Sequence, residues 1–336
     1  KKSLCVDWNT DAGLQLIKDL VPHVDVVAEN TGTPEILAKR GLDYESIILL
    51  NPSIVMASVS AFGRHSAYSH KTGYDYIAQA FSGLMHMTGD PDGPPQFVGS
   101  AIADTGSAVH AFAALGYALF HRERTGRGQH LDIAMVDCMF HMHEGHLECA
   151  HFDGHEPMRM GSHHDLVFPV GTFRGPESWI VVLALDLQWP NFCNAMDRPD
   201  LIDDPRYDVM SKRAERRDEL VALTEAWMAT FETDAEVLAR LESHRVPCSP
   251  VLSPTDAIGH EYFESRDMVR WVDDPLLGQV PIPGYPFKFG DQPELPTLTA
   301  PLLGQHNAEI LIDELGMTEA QVASLEAAGV LHHGDT

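Results

Sequence analysis

The first 150 residues alternate between strand-like and helix-like segments, and this alternation restricts the possible folds more than any other feature. Apolar stretches predict strands at Ser3–Val6 and Val24–Glu29, and another strand follows the break at Asn51 and Pro52. Helical segments lie between them. Such alternation is typical of a mostly parallel sheet, so we predict a Rossmann-like, doubly wound α/β fold. Because no glycine-rich phosphate loop follows these strands, the pattern alone does not indicate a nucleotide site.

The rest of the chain predicts a second, smaller domain and a return to the first. An Ala-rich helix over 105–124 ends at the turn TGRGQ, and the stretch FPVGTFRGPESWIVVLAL predicts a hairpin. A proline-rich, extended segment from Pro281 to Gly304 precedes the helix HNAEILIDELG. We predict a large α/β domain over 1–160, a small α+β domain over 165–275, and a segment over 280–336 that completes the large domain.

Composition narrows the class of protein. The 49 acidic residues outnumber the 23 Lys and Arg residues, and the formal charge of -26 argues against a nucleic-acid or anionic-membrane partner. Apolar runs are too short to cross a bilayer. The five cysteines are odd in number and show no CxxC pairing, which is typical of a reducing compartment, so we predict a cytoplasmic protein.

A histidine-rich stretch, HMHEGHLECAHFDGH, carries residue types that zinc prefers. On a helix His141 and His143 would point about 200° apart. An HExxH motif starting at His143 would need a second histidine at position 147, which is Leu. We therefore predict no metal site and interpret these histidines, His155 included, as ordinary helix and loop residues, with a metallohydrolase as the rival interpretation.

Asp104 is the only acidic residue between Pro94 and Glu123, and it stands just before the Ala-rich helix. Aspartate is a favoured helix N-cap, so a structural role accounts for this position. A carboxylate is also a capable covalent nucleophile. The position alone leaves both interpretations open.

Several segments resemble, in the same order, those of the family III coenzyme A transferases, the CaiB/BaiF group that includes formyl-CoA and carnitine CoA-transferases. They are KKSLCVD, VDVVAEN, GYDYIAQAFSGLMHMTG, DGPPQFVGSAIADTGSAVHAFAALGYALFHRERTGRGQHLDIAMVD, WPNFCNAMDRPDLIDDPRY, VPCSPVLSPTDAI, PFKFG and PLLGQHNAEIL. The resemblance covers nearly the whole chain. The part that finds no match is the N-terminal segment that family members usually have before the KKSL position.

The resemblance implies a role for Asp104 as the nucleophile that attacks an acyl-CoA thioester, through a mixed anhydride and an aspartyl-CoA thioester, before an acceptor carboxylate takes the CoA. Oxyanion donors are needed at each step, and Gly99 and Gly106 bracket Asp104 as candidates for a glycine-lined site. The family's mobile glycine loop falls at Gly161, where a run of consecutive glycines is absent, which argues against formyl and oxalate as substrates.

Two further positions follow from the resemblance. Tyr74 stands where the α-methylacyl-CoA racemase branch has a catalytic histidine; tyrosine is a poor base at neutral pH, which favours the transferase over a racemase-like isomerase. We expect Tyr74 near the pantetheine or thioester, with a buried core aromatic as the alternative. Asn30 lies where the family's ENFRPG segment lines the CoA groove, with a plain strand-end residue as the alternative.

The resemblance also implies an interlocked-ring homodimer, with acyl-CoA and a carboxylic acid as substrates and no permanently bound cofactor. The opposing interpretation is a catalytically incomplete relative that binds acyl-CoA or acts as a scaffold.

Overall fold

A computed structural model describes residues 1–31, 33–143, 145–154, 156–291 and 298–334. The chain folds into two compact units. Unit 1 comprises Lys1–Met85, Phe97–Glu156 and Arg270–Thr336, and unit 2 comprises His86–Gln96 and Pro157–Val269. The domain boundaries predicted from sequence stay a prediction. Residues 292–297 of the predicted proline-rich return, and His155 of the histidine stretch, lie outside the described residues.

In chain order, the helices and strands of the first half are α1 (Asp11–Leu20), β1 (Val26–Glu29), α2 (Pro34–Arg40), α3 (Tyr44–Ile47), β2 (Val55–Ser60), α4 (Asp75–Phe81), α5 (Leu84–Met87), α6 (Ile102–Thr125), β3 (Gln129–Ala134), α7 (Met135–His141) and α8 (His146–Glu148). Those of the second half are β4 (Val170–Arg174), β5 (Trp179–Leu183), α9 (Trp189–Ala195), α10 (Met210–Glu215), α11 (Arg217–Met228), α12 (Asp234–Ser243), β6 (Cys248–Pro250), α13 (Pro254–Ile258), α14 (Glu261–Ser265), β7 (Val269–Asp274), β8 (Gly278–Pro283), α15 (Asn307–Leu315) and α16 (Glu319–Ala327). Short 3₁₀ turns occur at Val21–His23 and Pro199–Leu201, and a π-helical turn at Cys149–Asp153.

A parallel sheet in the order β1-β2-β3 forms the centre of unit 1. Successive strand residues point to opposite faces, so the sheet supports two apolar clusters. Met56 packs with Ile47 on one side, whereas Ala57 packs with Ala103 and Ala111 of α6 on the other. The predicted α/β fold with a parallel sheet is confirmed.

The long helix α6 carries the candidate nucleophile into this unit. It ends at Gly126, whose left-handed φ of 71° suits a residue without a Cβ. Its buried positions are mostly small, which allows close packing against the sheet and α7; they are Ala103, Gly106, Ser107, Ala111 and Ala118.

The N-terminal prediction of a strand at Ser3–Val6 is wrong. Only a single antiparallel bridge, from Val6 to Leu331, is present there. The backbone is instead held by side chains of the C-terminal region, since the Cys5 amide donates to the Asn307 Oδ1 atom at 2.8 Å. Asn307 is fully buried and also donates to the His332 carbonyl. These long-range hydrogen bonds satisfy backbone N–H and C=O groups of a segment that, in the described part of the chain, has no neighbouring strand.

Unit 2 is built on an antiparallel sheet in the order β4-β5-β6. Strands β4 and β5 form the predicted hairpin, with Phe173 and Ile180 as a buried pair in register. Helices α9, α11 and α12 complete its core through Phe192, Leu220 and Leu241.

Candidate active site

The first turn of α6 presents Asp104 to solvent. The helix begins at Ile102, its N-cap is Ala101, and that position makes no side-chain capping hydrogen bond. Asp104 is therefore the third residue of the helix, in its first turn, and its side chain is exposed. Among the described residues, none donates a hydrogen bond to its carboxylate. The interpretation of Asp104 as the N-cap is wrong.

The cap of α6 comes from a different helix. Asp75, at the first position of α4, is buried, and its Oδ1 atom accepts the amide N–H of Ala103 at 2.6 Å and of Asp104 at 3.2 Å. Free amides at a helix N-terminus are ordinarily satisfied by the residue just before the helix. Here a carboxylate 29 residues earlier in the chain holds the backbone of Asp104 itself.

A second buried side chain fixes Asp75. Gln79, one turn later on α4, donates from Nε2 to the Asp75 Oδ2 atom at 2.6 Å. Its Oε1 atom accepts the Val98 amide at 3.0 Å, so the same amide group also fastens the segment that leads into α6. Gln79 is 1% exposed. The start of α6 is thus tied to α4 through a continuous, fully satisfied chain of hydrogen bonds.

Partial desolvation and the neighbouring Asp75 carboxylate together raise the pKa of Asp104 above its ordinary value. Both effects disfavour the ionised form, the first by removing water and the second by like-charge repulsion. An ionised carboxylate that is poorly stabilised is a better nucleophile than one saturated with donors.

The sequence stretch GYDY supplies an exposed aromatic rim. Tyr74, the residue before Asp75, is 76% exposed, so the alternative of a buried core aromatic is wrong. Tyr76 and Phe97 stack with ring centroids 4.3 Å apart and are each about half exposed. The structure therefore brings Tyr74 together with the start of α6 through its neighbour Asp75.

The two glycines that bracket Asp104 lie in different surroundings. Gly106 is buried inside α6, where an added Cβ would approach the Met139 Cε atom to 2.7 Å. Gly99 is exposed, and no described atom lies within 4 Å of its Cβ position. Gly99 follows Val98, which Gln79 holds. Their predicted contacts with substrate stay predictions.

Asn30 is exposed and directly follows β1. On one side of it, Glu29 accepts two hydrogen bonds from the buried Arg64 guanidinium, at 2.7 and 2.9 Å. On the other side, Thr31 donates its amide and hydroxyl to the same Glu29 carboxylate. Glu29 and Thr31 also line an open, largely apolar cavity of about 400 Å³.

Gly161 belongs to unit 2 and has a left-handed φ of 68°. Its amide donates to the Gly89 carbonyl at 3.0 Å, and an added Cβ would touch Pro91. The residues after it run beside β4, with a bridge between His163 and Gly171. Its predicted place in the family's mobile glycine loop stays a prediction.

The histidine stretch shows no metal-binding arrangement among the described residues, since no three His, Cys, Asp or Glu side chains there converge on one point. His143 instead makes a 2.7 Å hydrogen bond through Nε2 to the Ser82 carbonyl. Glu144 and His155 lie outside the described residues.

Sequence reasoning examined GYDY for Tyr74 and missed Asp75 and Gln79. A signal was present: an Asp and a Gln four residues apart would face the same side of a helix and hydrogen bond readily. What the spacing did not reveal is that this pair would cap a helix elsewhere in the chain.

Comparison with known proteins decides the family. The family profile described as CoA-transferase family III matches residues 1–307. The chain belongs to CoA-transferase family III. It is accordingly a CoA-transferase, as its named relatives are, and the resemblance seen in the sequence is confirmed.

Named relatives of this family III chain act on several acids. The succinyl-CoA:mesaconate CoA-transferase of Haloarcula hispanica is 37% identical, over 94% of this chain and 80% of its own length. The formyl-CoA:oxalate CoA-transferase of Streptomyces avermitilis is 31% identical, over 98% and 84% respectively. A CaiB/BaiF family protein from Brucella suis has a similar solved structure, with a TM-score of 0.81 and 32% identity over 94% of this chain and 82% of its own.

None of the helices in the described part of this family III chain combines the length and apolarity that a bilayer span requires.

Proposed function

We propose that this CoA-transferase works through covalent catalysis by Asp104. A carboxylate oxygen of Asp104 attacks the thioester carbonyl of an acyl-CoA, the C–S bond breaks, and CoA leaves as a thiolate. The thiolate then attacks the aspartyl carbonyl of the mixed anhydride, which releases the donor acid and leaves an aspartyl-CoA thioester. The acceptor carboxylate repeats the two steps in reverse order, and Asp104 is regenerated.

The observation that carries this proposal is the state of the Asp104 carboxylate. It is exposed at the start of a rigid helix, with no hydrogen-bond donor to its side chain among the described residues and a raised pKa. A carboxylate with a purely structural role would be expected to accept hydrogen bonds. The exchange passes through three thioesters (the donor acyl-CoA, the aspartyl-CoA and the product acyl-CoA) and two mixed anhydrides, so each step is an acyl transfer for which a reactive carboxylate suffices, and no resident cofactor is needed.

The substrates we propose are an acyl-CoA and a carboxylic acid. The names of the relatives support small acids, including succinate and mesaconate. A racemase-like isomerase is disfavoured because Tyr74 stands where that branch has a histidine, and an exposed phenol is a poor base at neutral pH.

The remaining site residues are assigned supporting roles. Tyr74, exposed beside Asp75, contacts the pantetheine arm or the thioester. Asn30 lines the CoA groove beside the apolar cavity. Gly99, Gly106 and Gly161 are assigned to the binding of CoA and substrate, as the family resemblance implies.

We also propose a cytoplasmic location and an interlocked homodimer. The five cysteines are free, which supports a reducing compartment. Helix α6 exposes large apolar side chains that a second copy would cover; they are Val109, Phe112, Tyr117 and Phe120. Sedimentation at micromolar concentration should give a dimer, and a stable monomer would contradict this assembly.

The mechanism is tested by Asp104→Asn, which removes the nucleophilic oxygen at nearly constant side-chain size. Exchange of CoA between acids should fall by several orders of magnitude. The matched control is Asp11→Asn, since Asp11 is also exposed in the first turn of its helix, α1. We expect the control to retain activity. An Asp104→Asn variant that exchanges CoA near the wild-type rate would overturn the mechanism.

A further inference from the structure

We propose that Asp75 is a positioning residue for Asp104: held by Gln79, it occupies the amide N–H groups at the start of α6 and thereby keeps the neighbouring Asp104 carboxylate unbonded and reactive. This inference rests on the proposed nucleophilic role of Asp104. It assigns to Asp75 and Gln79 a part in the reaction that they perform without touching substrate.

Asp75 and Asp104 compete for the amide donors at the start of α6. Amides in the first turn of a helix point toward the N-terminus and stabilise negative charge placed there. Asp104 lies in that turn, yet its own amide and that of Ala103 are directed to the Asp75 Oδ1 atom, at 3.2 and 2.6 Å. The donors that would stabilise the Asp104 carboxylate are therefore already occupied by Asp75.

Asp75 can occupy this buried position because its carboxylate is fully hydrogen-bonded. It is only 7% exposed, and a buried carboxylate without partners is costly. Three donors meet it: the two α6 amides and the Gln79 Nε2 atom. Gln79 accepts the Val98 amide at its other end, so its orientation is fixed as well. The arrangement is complete without any further group.

Asp75 also acts on Asp104 through its negative charge. Among the described residues, Asp75 is the charged group whose field acts on Asp104, and the repulsion disfavours the ionised state of Asp104. Asp75 thus increases the basicity of the nucleophile while its hydrogen bonds fix the nucleophile's backbone.

The positional and the electrostatic contributions of Asp75 can be separated by exchanging its carboxylate with the side-chain amide of Gln79. In Asp75→Asn alone, the new Asn side chain can still accept both α6 amides, but its NH₂ group faces the Gln79 NH₂ group. If Gln79 turns over, its NH₂ group faces the Val98 amide instead. Either way one buried donor lacks an acceptor, so this variant disturbs both position and charge.

The double variant Asp75→Asn, Gln79→Glu restores every hydrogen bond. The residue at 75 accepts from the Ala103 and Asp104 amides and donates to the carboxylate at 79, whose other oxygen accepts the Val98 amide. The negative charge has moved one side chain further from Asp104. This variant therefore keeps the geometry and weakens the field.

The experiment measures melting temperature, kcat, KM and the pH profile of kcat/KM for wild type, the single variant and the double variant, with the same acyl-CoA and acceptor throughout. We expect the double variant to melt near wild type and the single variant to melt lower. We expect kcat to fall about tenfold or more in both, comparable to the roughly 10–100-fold losses seen when the outer-shell partner of a metal ligand is removed, with KM nearly unchanged. The acid limb of kcat/KM, which reports ionisation of the free enzyme, should move to lower pH in both.

The outcomes distinguish this inference from the proposed function. If Asp104→Asn is inactive while the double variant has wild-type kcat and an unmoved acid limb, Asp75 is only a helix cap and the inference is wrong. If Asp104→Asn is active, the proposed function itself fails. A double variant that recovers wild-type kcat together with its melting temperature would also overturn the electrostatic part, because geometry alone would then suffice.

Discussion

Two carboxylates of unit 1 show opposite chemical surroundings. Glu29, at the end of β1, has a side chain that is only 8% exposed and accepts hydrogen bonds from Arg64 and from the Thr31 amide and hydroxyl. Asp104, at the start of α6, is exposed and accepts none from the described residues, although free amides ordinarily occur at such a place. The amides near Asp104 are bound by Asp75 instead.

The contrast separates a structural carboxylate from a reactive one within the same fold. A buried, hydrogen-bonded ion pair has a structural role: removing one partner destabilises the fold because the other charge is left uncompensated. An exposed carboxylate with a raised pKa contributes little to stability and is available for bond formation. We therefore expect substitutions at the Glu29–Arg64 pair to affect folding, and substitutions at Asp104 to affect turnover.

The largest effect on stability should come from Arg64→Met. It leaves Glu29 buried without its cation, so the free energy of unfolding should fall by about 3–5 kcal/mol. Urea titration measures this loss. Arg124→Met, at an exposed position near the end of α6, is the control and should stay within about 0.5 kcal/mol of wild type. A loss below about 1 kcal/mol for Arg64→Met would show that the pair is not the structural element described above.

Added salt should weaken the repulsion between surface charges but have little effect on the buried Glu29–Arg64 pair. At a formal charge of -26, self-repulsion opposes the compact state, so the free energy of unfolding should rise as KCl is increased. The difference between wild type and Arg64→Met should stay nearly constant over the same titration, because buried pairs are screened little. If the stability difference between wild type and Arg64→Met vanished at high salt, the Glu29–Arg64 pair would be screened as solvent-exposed charges are.

The smallest effect is expected from Asp104→Asn on stability. The folded-state pKa of Asp104 is raised, so its ionisation destabilises the fold above that pKa, and the cost disappears as pH falls below the pKa of an aspartate in the unfolded chain, about 3.9. The Asn variant should therefore be equal to or slightly more stable than wild type at pH 7, by about 0.5 kcal/mol or less, and indistinguishable from it at low pH. Thermal unfolding at pH 7 and at low pH measures whether the Asn variant is more or less stable than wild type. A variant that is clearly less stable at pH 7 would mean that the carboxylate has a structural role.

The sequence predicted those parts of unit 1 that depend on local pattern. The strands β1 and β2 follow from apolar runs, and the end of α6 follows from Gly126. Asp104 was identified because it is an isolated carboxylate in a recognisable motif.

What the sequence did not reveal depends on contacts between distant residues. The strand predicted at Ser3–Val6 fails because its backbone is satisfied by Asn307 and Leu331, some 300 residues away. The capping of α6 by Asp75 is equally non-local, and N-cap preferences alone pointed to Asp104. A local propensity is overruled wherever a buried side chain from another element satisfies the backbone first.

The most direct test of a covalent Asp104 is to locate the intermediate. Wild-type protein incubated with acyl-CoA in the absence of acceptor, then treated with hydroxylamine, should yield a hydroxamate within the tryptic peptide 72–122. That peptide also contains Asp75, Asp90 and Asp92, so fragment-ion sequencing is required to assign the modified residue. We predict the modification on Asp104 and its absence from Asp104→Asn. A modification found only on another carboxylate would contradict the account.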